Sequence, residues 1–193
     1  EDDKLQISVF VSTMIYSQLS NYMDDNLSIF FPSIYFIFRN STSTSNLSHS
    51  ELSIKNTLDS IHKHGICNNK SYSAEDLINN IEPSKEIQIR SKMYDLEYYR
   101  VDNDLSKLKL LINNDQMILI NYFVFDNFED NIQNSSRKGL VRMPSVKDEF
   151  NNIKTGLVVG YLDKKKLLIV KGCWGAEWGD NGYIYIPYAY ISK

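Results

Sequence analysis

Cysteine is scarce in this chain. Only Cys67 and Cys173 occur in 193 residues, and none lies before position 67. Two cysteines make no disulfide framework, so each is first a small buried apolar residue. There is no basic excess: the net charge is −3, which argues against a nucleic-acid partner or an anionic membrane surface. No apolar run approaches the length of a membrane span. The opening Glu1-Asp2-Asp3-Lys4 lacks the basic and apolar regions of a signal peptide, and no residue pattern names a compartment. Glycine and proline are few, at eight and four, and there is no internal repeat. Thirteen Tyr and nine Phe suit a β-rich core with half-buried rings.

Half of the glycines and both tryptophans fall in one stretch, Gly172 to Gly182. Two apolar β runs precede it, Thr155–Leu162 and Leu167–Val170, with the polar Asp163–Lys166 as a turn. A last run, Tyr183–Ile186, stops at Pro187, which cannot donate to a sheet ladder. Glycines at that density beside Trp174, Trp178 and Cys173 argue for a tight loop under large aromatics.

The hairpin followed by Gly172-Cys173-Trp174-Gly175-Ala176-Glu177-Trp178-Gly179 and by Gly182-Tyr183, Ile186-Pro187-Tyr188 resembles the C-terminal half of the papain-like cysteine peptidases. It is most similar to their short branch, found in microbes and large DNA viruses, which points to a viral setting. The resemblance runs from residue 2 to residue 191. It implies an α+β, two-lobed papain-like fold in a single domain over 1–193. A helical lobe over 1–85 would pack on an antiparallel β-sheet or barrel lobe over 86–193. Counting from Val159-Gly160-Tyr161 puts Lys154 where the family carries its catalytic His. Counting from Trp174 puts Gly172 where it carries the orienting Asn. The stretch before the first helix aligns Asp2 with the oxyanion-hole Gln and Ser8 with the nucleophilic Cys.

Earlier segments fit the same scheme. Val9–Met23 is apolar around most of a helical surface, as in a central buried helix. The resemblance places Ser8 at the N-terminus of that helix. The apolar residues after Phe31-Pro32-Ser33 would read equally well as a strand, but the resemblance makes them a second, short helix, and Asn40–Ser50 reads as a loop. Ser48-His49-Ser50-Glu51 fits a capping box for a helix with Ile54, Leu58 and Ile61 on one face, ending at Gly65. His62 and His64, two apart on a helix, point to different faces and read as helix-end cations, not metal ligands. No metal site or cofactor is expected. In Gly65-Ile66-Cys67 the resemblance makes the cysteine structural. Glu86–Arg90 and Glu97–Val101 read as strands, and Asp102-Asn103-Asp104 caps a helix with Leu105, Leu108 and Ile112 inside. Gln116–Val124 is a buried strand. A long polar loop follows over 125–153, carrying a Gly139–Pro144 element of the short branch.

A papain-like site needs a polarisable nucleophile, a base that titrates near neutrality and an orienting group. Ser8 is a poor nucleophile without a base, Lys154 is ordinarily cationic, Gly172 has nothing to orient with, and Asp2 opposes a developing oxyanion. The expectation is a catalytically inactive homologue, a pseudoenzyme, with a binding or structural role toward a protein, a peptide or copies of itself. The alternative is a serine-type peptidase using a Ser8–Lys154 dyad.

Overall fold

The computed structural model describes residues 2–22, 30–45, 52–94, 97–134 and 137–191; of the helical residues 2–4, 21–22 and 44–45 only the backbone is described. The chain divides into two compact units, Glu1–Tyr99 and Arg100–Lys193.

The first unit is helical. Helix α1 (Asp2–Tyr22) buries Ile7, Phe10, Val11 and Ile15, the apolar surface its sequence announces. Helix α2 (Ile34–Ser45) buries Phe36, Ile37 and Phe38. The entry to α2 is pinned from several sides. Ser12 Oγ donates to the Pro32 carbonyl at 2.8 Å, Ser33 N–H donates to the Cys67 carbonyl at 2.8 Å, and Ser33 Oγ donates to the Tyr72 carbonyl at 2.6 Å. Ser33 Oγ also accepts from Phe36 N at 3.1 Å, so Ser33 caps α2 and Pro32 lies just outside it. The helix runs on through residues expected to form a loop, with Ser41 Oγ and Thr42 Oγ1 turned back onto the Ile37 and Phe38 carbonyls.

Helix α3 (Ile54–His64) buries Leu58 and Ile61 and ends at Gly65 with φ 74°, as its pattern predicts. Its cap is Ser53, whose side chain accepts from Asn56 N at 3.1 Å; the capping box proposed at Ser48–Glu51 lies outside the described residues. Helix α4 (Ala74–Ile78) begins with a reciprocal Ser73–Asp76 capping box. Helix α5 (Lys85–Ser91) replaces the strand expected at 86–90. Ser84 caps it and Arg90 pairs with Glu86 at 2.9 Å, four residues back, while no strand forms at 97–101. Helical structure thus continues past residue 85, and the first unit with it. Phe36, Cys67 and Tyr72 form a small core of their own.

The second unit holds an antiparallel sheet. Helix α6 (Leu105–Asn113), capped by Asp104, buries Leu108. Strands β1 (Ile118–Phe125), β2 (Phe150–Leu162), β3 (Leu167–Lys171) and β4 (Tyr183–Pro187) pair in the order β1-β2-β3-β4. The β2–β3 turn is a single 3₁₀ turn at Asp163–Lys165, closed by Lys166 in the left-handed region at φ 55°. Pro187 falls on the edge strand, where a missing N–H costs no ladder bond. The loop expected over 125–153 is interrupted by helix α7 (Phe128–Asn134), which drives Phe128 and Ile132 into the core. The Gly139–Pro144 element covers the outer edge of β4: Val141 N donates to the Tyr185 carbonyl at 3.0 Å, and Tyr185 N to the Gly139 carbonyl at 2.8 Å. A short helix, α8 (Tyr188–Ile191), closes the described chain. Helices with an antiparallel sheet make the α+β class expected.

Candidate functional site

Strand β2 sets Lys154 opposite Tyr122 of β1, immediately before the buried run Thr155–Val158. The Lys154 side chain is 11 % exposed, so its charge is largely withdrawn from water and needs compensation. Among the described residues, Glu129 and Trp174 supply it. Glu129 Oε1 lies 3.0 Å from Nζ, and the Trp174 ring centroid lies 4.2 Å from it.

Gly172 follows β3 and donates its N–H to the Gly182 carbonyl at 2.9 Å, which closes the glycine-rich loop onto its own end. Gly179 lies in that loop at φ 60°, and a Cβ there would meet the Tyr183 carbonyl oxygen at 2.5 Å. Gly172 is glycine for a different reason. A Cβ on it would lie 2.5 and 2.8 Å from Trp178 ring carbons and 2.9 Å from a Trp174 ring carbon. The two indoles, with centroids 4.5 Å apart, pack directly against the Gly172 α-carbon. Trp178 is buried, and its Nε1–H donates to Glu129 Oε2 at 2.9 Å. Trp174 and Cys173 are half-buried.

Lys154, Gly172, Trp174 and Trp178 therefore converge in the second unit, as their motif implies. Glu129 joins them, and sequence reasoning missed it. Its signal was present: Phe128 and Ile132 are spaced i, i+4, with Glu129 and Asp130 in the first turn of what became α7.

Asp2 and Ser8 belong to the first unit. Asp2 is the first residue of α1, and its side chain is outside the described residues. Ser8 does not sit at the helix N-terminus as expected. The helix begins at Asp2, so the Ser8 backbone is inside the helical ladder, away from the terminal N–H groups that activate a nucleophile. Ser8 is fully buried, and its Oγ has no hydrogen-bond partner among the described residues. Cys67 is buried, and burial pushes its thiol up to about 12, which suits a structural residue. Among the described residues no three His, Cys, Asp or Glu side chains gather as a metal site would require. No helix among them is long and apolar enough to cross a membrane.

The family model of the papain family cysteine proteases matches residues 50–191, a span that takes in Lys154 and Gly172. An uncharacterized peptidase C1-like protein of Acanthamoeba polyphaga mimivirus is 26% identical over 178 residues, covering 86% of this chain and 57% of the relative. The chain thus spans a little over half of that viral relative's length. Among solved structures, xylellain, a cysteine protease from Xylella fastidiosa, matches with a TM-score of 0.81 at 22% identity, over 97% of this chain and 74% of xylellain. A procathepsin B from Trypanosoma congolense matches with a TM-score of 0.61 at 14% identity, over 94% of this chain and 62% of that one. These structures share the fold. With nearly three quarters of its residues inside the family match, the chain belongs to the papain family of cysteine proteases.

Proposed function

We propose that this chain is a catalytically inactive papain-family homologue that holds a protein or peptide partner without cutting it. The observation that carries the reading is the state of the base and orienting positions. Lys154 is tied to Glu129 and Trp174, and at 172 even a Cβ would collide with the Trp178 and Trp174 rings. Ser8, buried in a helical ladder with a hydroxyl that has no partner among the described residues, points the same way. The peptidase fold and the viral relative fit a viral binding or assembly component. The net charge of −3 favours a protein partner over nucleic acid.

The reading is tested by mixing the protein with a diverse peptide library, recovering what stays bound and reading it by mass spectrometry. Intact peptides enriched around a common motif are the expected result. No retained peptide, together with a monodisperse monomer by light scattering, would remove both the peptide-binding and the self-associating forms of the proposal.

A further inference from the structure

We infer that Glu129 is the positioning residue of this rebuilt site, a single carboxylate that sets both the Lys154 ammonium and the Trp178 indole. The inference rests on assigning Lys154 and Gly172 to the family's base and orienting positions. Each Glu129 oxygen has its own donor: Oε1 takes Lys154 Nζ at 3.0 Å, and Oε2 takes Trp178 Nε1 at 2.9 Å. Held at two points, the carboxylate has little freedom to turn. The four side chains close a circuit. Glu129 touches Lys154, Lys154 lies 4.2 Å from the Trp174 centroid, Trp174 lies 4.5 Å from Trp178, and Trp178 returns to Glu129. Gly172 lies against both indoles of this circuit.

Glu129 is the corner that makes the other three compatible. The Lys154 side chain is 11 % exposed against 51 % for Glu129, so the lysine depends on its counter-ion far more than the glutamate does. The Trp178 indole is buried, and without Glu129 Oε2 its N–H would lose its acceptor. The position is fixed from below, because Phe128 and Ile132 of α7 anchor the helix in the core and the Phe128 ring lies 5.9 Å from that of Tyr122, the register partner of Lys154. The base position of a peptidase has thus become one corner of an ion-pair and indole cluster. Restoring a base at 154 would also require a different residue at 129.

The chain contains two tryptophans, both in this cluster, so its intrinsic indole signal reports on it alone. The experiment combines near-UV circular dichroism with amine acetylation of Lys154, read by mass spectrometry, in Glu129→Gln, Glu129→Ala and the control Asp102→Asn. Asp102 pairs with Lys107 on the same unit. Glutamine keeps an oxygen for Trp178 and loses the charge. The expected result is several-fold faster Lys154 acetylation in Glu129→Gln with the indole signal kept. In Glu129→Ala both the protection and the indole signal are lost, and Asp102→Asn changes neither. Lys154 acetylation and indole spectra unchanged in both Glu129 variants would overturn the inference. If Glu129→Ala fails to fold, the acetylation rate in Glu129→Gln decides alone. Neither readout uses cleavage, so a discovery of peptidase activity would remove the inactive reading and leave this result to stand by itself.

Discussion

Gly172→Ala adds one methyl group at the position that aligns with the family's orienting Asn. Gly172 is not among the glycines at positive φ, so the cost is steric and carries no backbone strain. The new Cβ would lie 2.5 and 2.8 Å from Trp178 ring carbons and 2.9 Å from one of Trp174. Real Cβ contacts do not come that close, so an indole must move. Both are held, Trp178 by Glu129 and Trp174 by Lys154. Overpacking of this kind costs about 1–3 kcal/mol, which for a chain of this size lowers Tm by about 2–12 °C. Gly160→Ala is the matched control. Its nearest contact would be Ile169 Cδ1 at 3.3 Å, the mobile end of a side chain, and a much smaller shift is expected. Differential scanning calorimetry gives Tm, and near-UV circular dichroism follows the indole pair. Gly172→Asn, which supplies the residue the family uses here, should fall further than Ala. A Gly172→Ala protein with wild-type Tm and an unchanged indole spectrum would refute the claim that the indoles pack directly against Gly172.

Cys67 should resist iodoacetamide in the native protein at pH 8 and react once the chain is unfolded, as peptide mapping would show. Its folded value is raised from 9.0 to about 12 by burial, so the unfolded chain gives up the thiol proton first; stability is full below about 9 and falls as pH rises toward about 12, measurable as a declining urea midpoint. Ser33→Ala removes the cap of α2 and the bond to Tyr72 together, and should cost about 1–3 kcal/mol in urea denaturation. Arg39→Ala should cost a similar amount, about 1–3 kcal/mol, because its largely buried guanidinium ties α2 to Asn80 at 2.9 Å and to Glu82; faster hydrogen exchange at residues 79–82 would locate the loss.

The stretch from Thr155 to Pro187 was legible because its signals are strong and local. The hairpin over 155–170 is written in β-branched and leucine runs around a four-residue polar turn, and the glycine and tryptophan spacing specifies the loop that follows. The α3 helix was legible for the same kind of reason, a clear apolar face ending at a glycine. Elsewhere two patterns competed. Glu86-Ile87-Gln88-Ile89-Arg90 alternates as a strand does, yet Ser84 caps it and Glu86 pairs with Arg90 at helical spacing, and the helix prevails. The Ser/Thr run after Asn40 looks like a loop, yet it is helical, with Ser41 and Thr42 hydroxyls turned back onto carbonyls of the preceding turn. Glu129 stayed hidden because its partners are 25 and 49 positions away, a proximity that only the fold creates. The position of Ser8 within α1 was misplaced because the resemblance aligned the residue but did not say where its helix begins.

The central claim, that this family member has no working peptidase site, is tested most directly by cleavage of a diverse peptide library across pH, read by mass spectrometry, with Ser8→Ala and Lys154→Ala beside the wild type. The account predicts no cleavage product from any of the three. Products from the wild type that vanish in both variants would contradict it and establish a Ser8–Lys154 dyad in place of a binding body.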